Sequence, residues 1–173
     1  MVGDIESVLD GLNRARVRYL VVGGVAVVLH GHLRTTADLD LVLHLEHENL
    51  VRAMEALTDL GYRPRAPVPA EAFVDAGQRQ TWIEEKDLTV FSLWNPDKPG
   101  LEVDLFVTEP FDFDRVYARA LRVPLETTEA TVISMEDLRA MKQGVGRPRD
   151  LEDLKALDAL RAGEGPIAEG DHG

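Results

Sequence analysis

The sequence predicts an α/β (α+β) protein in which a small mixed sheet carries acidic residues, helices flank it, and C-terminal helices close one side of a cleft. Three observations predict this architecture. Segments with apolar residues three and four apart recur near the start, the middle and the end of the chain, the spacing of one helical face. Between them lie short runs that are β-branched or alternate apolar with polar residues, the pattern of strands. Most glycines and prolines fall at the junctions, where turns need them. At 173 residues the chain is the size of one domain, read as residues 1–162 followed by a loose tail over 163–173.

Residues 4–15 read as an amphipathic helix with Ile5, Val8, Leu9 and Leu12 on one face. Residues 17–22 form a β-rich run that stops at Gly23 and Gly24 and leads into an apolar segment over 25–29, giving strand, tight turn and helix. In residues 37–43, Leu39, Leu41 and Leu43 take one side of a strand, and Asp38 and Asp40 share the other. A helix over 46–60, with Leu50, Met54, Leu57 and Leu60 in phase, is ended by Gly61. Three prolines make 63–70 an irregular connection, followed by a short helical turn at 71–76. Two strands, 88–94 and 101–107, are joined by a hairpin loop, and in the second Glu102 and Asp104 face opposite to Leu101, Val103, Leu105 and Val107. A short helix at 113–120 and strands at 121–125 and 130–133 follow. Ser134 and Asp137 resemble a capping pair for a helix over 135–143, and leucines 151, 154, 157 and 160 mark a last helix over 151–161.

Composition narrows the chemistry. Hydrophobic residues make up 45% of the chain and charged ones 29%, which fits a folded soluble protein. There is no cysteine, which excludes disulfides, a thiolate nucleophile and a cysteine zinc site, so any metal is bound by oxygen or imidazole. The N-terminal residues lack the basic start and apolar run of a signal peptide, and no membrane-length segment follows, so the cytoplasm is the expected location. A net charge of −12 repels phosphate polymers and argues against DNA sequence recognition, while permitting local contact with RNA.

Carboxylates two apart on one strand project to one face with Cβ atoms about 6–7 Å apart, a separation two oxygen-seeking cations can bridge. Asp38 and Asp40 have this spacing, and Asp104 completes the set if its strand pairs nearby. Left alone, three such acids repel one another; magnesium or manganese removes the repulsion and neutralises a triphosphate leaving group. Upstream, Gly23 and Gly24 let a phosphate approach the start of a helix without a Cβ in the way.

These residues resemble the nucleotidyltransferase superfamily: an apolar strand, a glycine pair, an acid-apolar-acid triplet and a later isolated acid. Here they read VVGG at residues 21–24, DLDL at 38–41 and VDLF at 103–106, with 13 residues between Gly24 and Asp38. The stretches RTTADLDL and GRPRDLEDL are similar to the toxin-type (AbiEii-like, minimal nucleotidyltransferase) branch of abortive-infection and toxin–antitoxin operons. The resemblance implies in-line transfer of a nucleotidyl group from a nucleoside triphosphate (NTP), with Asp38, Asp40 and Asp104 as catalytic metal ligands. It further implies phosphate-side roles for Gly23, Gly24, Arg34, Lys142, Arg149, Asp150 and Asp153, an RNA or protein acceptor, and an antitoxin partner. The branch's mid-chain basic motif has only Arg79 and Lys86 as candidates here. Two alternatives remain open: transfer to a small molecule of antibiotic type, and a non-catalytic relative that binds a nucleotide or a partner.

Several residues carry a plainer reading beside the chemical one. Arg34 suits a phosphate or a surface ion pair equally, and Lys142 and Arg147 stand likewise. Asp150 serves equally as an N-cap. His30 and His32 lack a third imidazole and read as a polar helix end, whereas Trp82 and Trp94 read as packing. Arg139, Lys142, Arg147 and Arg149 form the one sizeable basic cluster available to an RNA acceptor.

Overall fold

The computed structural model describes residues 2–143 and 148–163. Seven strands pair into one mixed sheet: β1 (Tyr19–Val22), β2 (Asp38–Leu43), β3 (Arg63–Pro64), β4 (Val90–Trp94), β5 (Glu102–Phe106), β6 (Leu121–Pro124) and β7 (Glu129–Val132). Their order is β3-β4-β5-β2-β1-β7-β6. β2 runs parallel to β5 and β1 parallel to β7, while the other neighbours are antiparallel. The helices are α1 (Val2–Arg14), α2 (Gly23–Leu29), α3 (His47–Asp59), α4 (Ala76–Lys86), α5 (Phe113–Ala118), α6 (Met135–Gln143) and α7 (Pro148–Arg161).

Alternation along the strands sorts the residues into two faces. Phe91, Leu105, Leu41, Val21 and Val132 pair in register across five strands, and each is at least 97% buried. This row is the floor of the core. Phe91 stacks on Trp82 of α4 at 5.1 Å and meets Phe73, in a 3-10 turn over Ala70–Val74, at 5.2 Å. α4 and that turn therefore lie behind the sheet, where the turn packs on α3 and α3 on α1. The opposite face carries Ser92, Asp104, Asp40 and Val22 in the neighbouring row.

The mixed sheet flanked by helices matches the sequence expectation, with four local differences. Gly23 and Gly24 are the first residues of α2 and not a turn before it. The helix α4 stands where no element was expected; its polar sequence hides it, although Asp75 caps it by accepting from the Gly77 and Gln78 amides at 2.8 and 3.2 Å. The proline-rich connection holds a two-residue edge strand, where a proline costs no ladder hydrogen bond. α7 starts at Pro148, so Asp150 lies within its first turn and is not its N-cap. The capping pair at α6 is as expected: the Asp137 amide donates to Ser134 Oγ at 3.1 Å and Ser134 Oγ donates back to Asp137 Oδ2 at 2.8 Å. The expected tail over 163–173 lies, beyond Gly163, outside the described residues. Among the described residues no helix is long and apolar enough to cross a membrane.

Leu41→Ala, at a fully buried position, is expected to lower the free energy of unfolding by about 2–5 kcal/mol in urea titrations. Leu121→Ala, on the edge strand and 47% exposed, is expected to change it by less than about 0.5 kcal/mol.

Candidate active site

Parallel pairing of β2 with β5 places Asp40 directly beside Asp104 and Asp38 beside Glu102, while Ser92 of β4 flanks Asp104 on its other side. Four carboxylates therefore share one sheet face. Asp104 Oδ1 is buried and has no hydrogen-bond partner among the described residues. Its carboxyl pKa is raised, first by desolvation and further by the charges of Asp38 and Glu102, against a hydrogen bond from Ser92 that lowers it. An orphaned carboxylate oxygen beside a second carboxylate fits a hard cation, which takes oxygen ligands. Among the described residues, however, no three carboxylates or imidazoles converge into a ready-made metal cage.

Gly23 sits against this pair. Its φ is +66°, and a Cβ there would lie 2.1 Å from Asp40 Oδ2, so both backbone conformation and space call for glycine. At Gly24 a Cβ would meet Thr36 Oγ1 at 3.0 Å and Arg34 Cζ at 3.3 Å, which locates the Arg34 guanidinium over the start of α2. Thr36 Oγ1 donates to the Asp38 carbonyl at 3.1 Å, tying this loop to the acidic strand.

Behind Arg34 stands a buried ionic network. Arg34 pairs with Asp153 of α7, and Lys142 of α6 donates to the same carboxylate oxygen at 2.7 Å and lies 3.5 Å from Asp150. Lys142, Asp150 and Asp153 are 7%, 5% and 3% exposed. Buried charges persist only when paired, so the four groups hold one another in place. Arg149 donates to the Thr35 carbonyl at 2.7 Å, a second tie between α7 and the loop before β2.

The structure thus gathers Asp38, Asp40, Asp104, Gly23, Gly24 and Arg34 around one corner of the sheet. It directs Lys142 inward onto the acids of α7. The basic cluster is dispersed into internal contacts: Arg139 pairs with Asp158, Lys142 with Asp150 and Asp153, and Arg149 bonds a carbonyl, while Arg147 lies outside the described residues. Arg79 is on α4, behind the sheet, donating to the Phe73 carbonyl, and Lys86 is exposed at that helix's end. His30 Nε2 donates to the Ile133 carbonyl at 2.8 Å, a structural bond. Trp82 packs in the core, whereas Trp94 pairs in register with Glu102 on the carboxylate face. Glu102 shares the Asp104 face of β5, as its alternation predicts; Ser92 and Thr36 are not signalled by the sequence, and the position of Ser92 opposite Asp104 needs the strand register to be seen. Two clefts of about 680 and 730 Å³ lie elsewhere, one at the N-terminal end of β1 around Arg18, Tyr117 and Arg122, the other around Met54, Val74 and Arg79. Neither is lined by a carboxylate of this site.

The sequence profile of the family described as a nucleotidyltransferase of unknown function (DUF6036) matches residues 3–162. The chain belongs to this family. Its nucleotidyltransferase fold is similar to the lincosamide antibiotic adenylyltransferase LnuA with lincomycin bound, with a TM-score of 0.60 at 17% identity over 91% of this chain and 96% of that one. It is also similar to TM1012 of Thermotoga maritima, provisionally described as a nucleotidyltransferase (TM-score 0.55, 14% identity, 88% of each chain). A third likeness is to ANT(2″)-Ia in complex with adenylyl-2″-tobramycin, with a TM-score of 0.55 at 15% identity over 94% of this chain and 95% of that one. No curated protein shows significant sequence similarity to the chain.

Gly23→Ala is expected to cost at least about 1 kcal/mol of stability from the left-handed backbone alone, and Gly100→Ala, with open space around it, much less. Lys142→Met leaves two buried carboxylates without their shared ammonium and is expected to cost about 3–5 kcal/mol in urea titrations. The Asp104 carboxyl binds its proton more tightly when folded, so its cost to stability is absent below the ordinary carboxyl pKa and complete above the raised one. Asp104→Asn is therefore expected to raise Tm over wild type at neutral pH, with the difference closing as pH falls through that window.

Proposed function

We propose that this nucleotidyltransferase moves a nucleotidyl group from an NTP to a hydroxyl of a small acceptor molecule. The observation that carries the proposal is the pairing of Asp40 with Asp104, one of them with an orphaned oxygen, against the glycine that begins α2. Asp38, Asp40 and Asp104 are the residues that would hold magnesium or manganese. Such an ion supplies charge neutralisation for the triphosphate and acidifies the acceptor hydroxyl. Gly23 and Gly24 leave room for the phosphates, and Arg34 contributes the cation beside them. Lys142, through Asp153, fixes where that guanidinium stands, and Arg149 and Asp150 brace the same side. In the transfer the acceptor oxygen bonds to the α-phosphorus, the bond to the bridging oxygen breaks, and pyrophosphate leaves on the Arg34 side. The hydroxyl proton is released on the Asp104 side.

A small acceptor is favoured over RNA by charge. The chain carries a net −12, and the described arginines and lysine of the one basic cluster are spent on internal contacts. Two proteins of similar fold are named for antibiotic acceptors, which supports the same reading. The toxin-type reading, with an RNA or protein acceptor and an antitoxin, is supported by the RTTADLDL and GRPRDLEDL stretches.

Incubation with each α-labelled NTP and magnesium in the presence of cell extract is expected to label the small-molecule fraction, and Asp40→Ala to lower that label by about 100-fold or more. Label in RNA or protein establishes the toxin-type reading instead. No label anywhere, with magnesium-dependent NTP binding retained, makes the chain a non-catalytic relative.

A further inference from the structure

The direction from which the acceptor arrives follows from the sheet order. In-line displacement places the attacking oxygen opposite the leaving pyrophosphate. The phosphate side is the α2–β1 edge of the carboxylates, marked by Gly23, Gly24 and Arg34. Beyond Asp40 and Asp104 the sheet continues to β4 and then β3, so an acceptor on the opposite side lies over β5 and β4. There the residues on the carboxylate face are Glu102, Ser92 and Trp94, with Asp38, Glu102 and Trp94 in one register row and Arg63 exposed at its edge.

Arg65 covers this spot in a particular way. Its Nε and Nη2 both lie 2.5 Å from Glu102 Oε1, and its Cζ stands 4.7 Å above the Trp94 ring. A planar cation thus lies between a carboxylate and an aromatic face, the two contacts that a protonated amine seeks. The Arg65 side chain is 52% exposed, and an ion pair so open to water contributes little, so a ligand amine displaces it at small cost. With Asp38 in the same register row as Glu102, this part of the carboxylate face favours a cationic ligand.

We propose that Trp94 and Glu102 form the acceptor subsite, that Arg65 occupies it as a displaceable placeholder, and that the acceptor is a hydroxylated small molecule bearing a protonated amine. The proposal rests on the nucleotidyl-transfer reading for its sense of direction, and it is tested by binding alone, without nucleotide.

Tobramycin and lincomycin serve as amine-bearing probes, with N-acetylated tobramycin as the uncharged control, and fluorescence titration reports Trp94 against a Trp94→Phe background. At least one amine probe is expected to shift the Trp94 signal saturably and in a salt-sensitive manner, and the acetylated control to be silent. Glu102→Gln is expected to weaken binding by about 10-fold or more, and Arg65→Ala to strengthen it. A Tm of Glu102→Gln close to wild type shows that the loss is local. Binding of neither amine, equal binding of the acetylated control, or full affinity in Glu102→Gln overturns the proposal. Those results leave nucleotidyl transfer standing if label still reaches an acceptor; loss of magnesium-dependent NTP binding in wild type is the failure of the function itself.

Discussion

The pairing of β2 with β5 is the constraint on which the molecule depends. A strand repeats every two residues, so one register decides at once that Leu39 and Leu41 enter the core and that Asp38 and Asp40 face Glu102 and Asp104. A slip of β2 by one residue exchanges its faces, burying the Asp38 and Asp40 carboxylates and exposing leucines. The apolar row from Phe91 to Val132 opposes such a slip, because every strand of the row fixes the next. Packing on one face of the sheet therefore enforces the grouping of carboxylates on the other. Gly23 extends the same logic to the following helix, since α2 begins against Asp40 only if its first residue has no Cβ.

A second constraint joins distant parts of the chain. Arg34, Lys142, Asp150 and Asp153 come from the loop before β2 and from two C-terminal helices, and they are stable only together. Since isolated buried charges are costly, the network works as a clamp: α6 and α7 must dock for the arginine beside the glycines to be held. The C-terminal helices thus fix the Arg34 side of the carboxylates through Asp153. Within the sheet, the charge problem is left partly unsolved at Asp104, where desolvation and neighbouring acids raise the pKa. Natural sites tolerate such a cost where a ligand removes it.

Much of this is legible in the amino-acid sequence. Asp38, Asp40 and Asp104 stand out because the acid-apolar alternation is local, and the strand, glycine pair and helix around residues 19–29 are marked by their composition. The superfamily follows from VVGG, DLDL and VDLF, and the family match agrees with it. What the sequence hides depends on pairing between distant strands. Ser92 and Trp94 join the site only through register, and α4 is obscured by a polar sequence whose buried anchor, Trp82, finds its partner Phe91 across the core. The late basic and acidic residues are visible, but their inward pairing is not, because residue type alone does not say whether Lys142 faces a ligand or a buried carboxylate.

In the proposed function, metal and triphosphate meet at the Asp40–Asp104 pair. Crystals grown with manganese and a non-hydrolysable NTP analogue locate the metal by its anomalous signal. A peak between Asp40 and Asp104 is expected, with the triphosphate running toward Gly24 and Arg34. A triphosphate bound in the cleft around Arg18 and Arg122, or manganese bound away from these carboxylates, contradicts it.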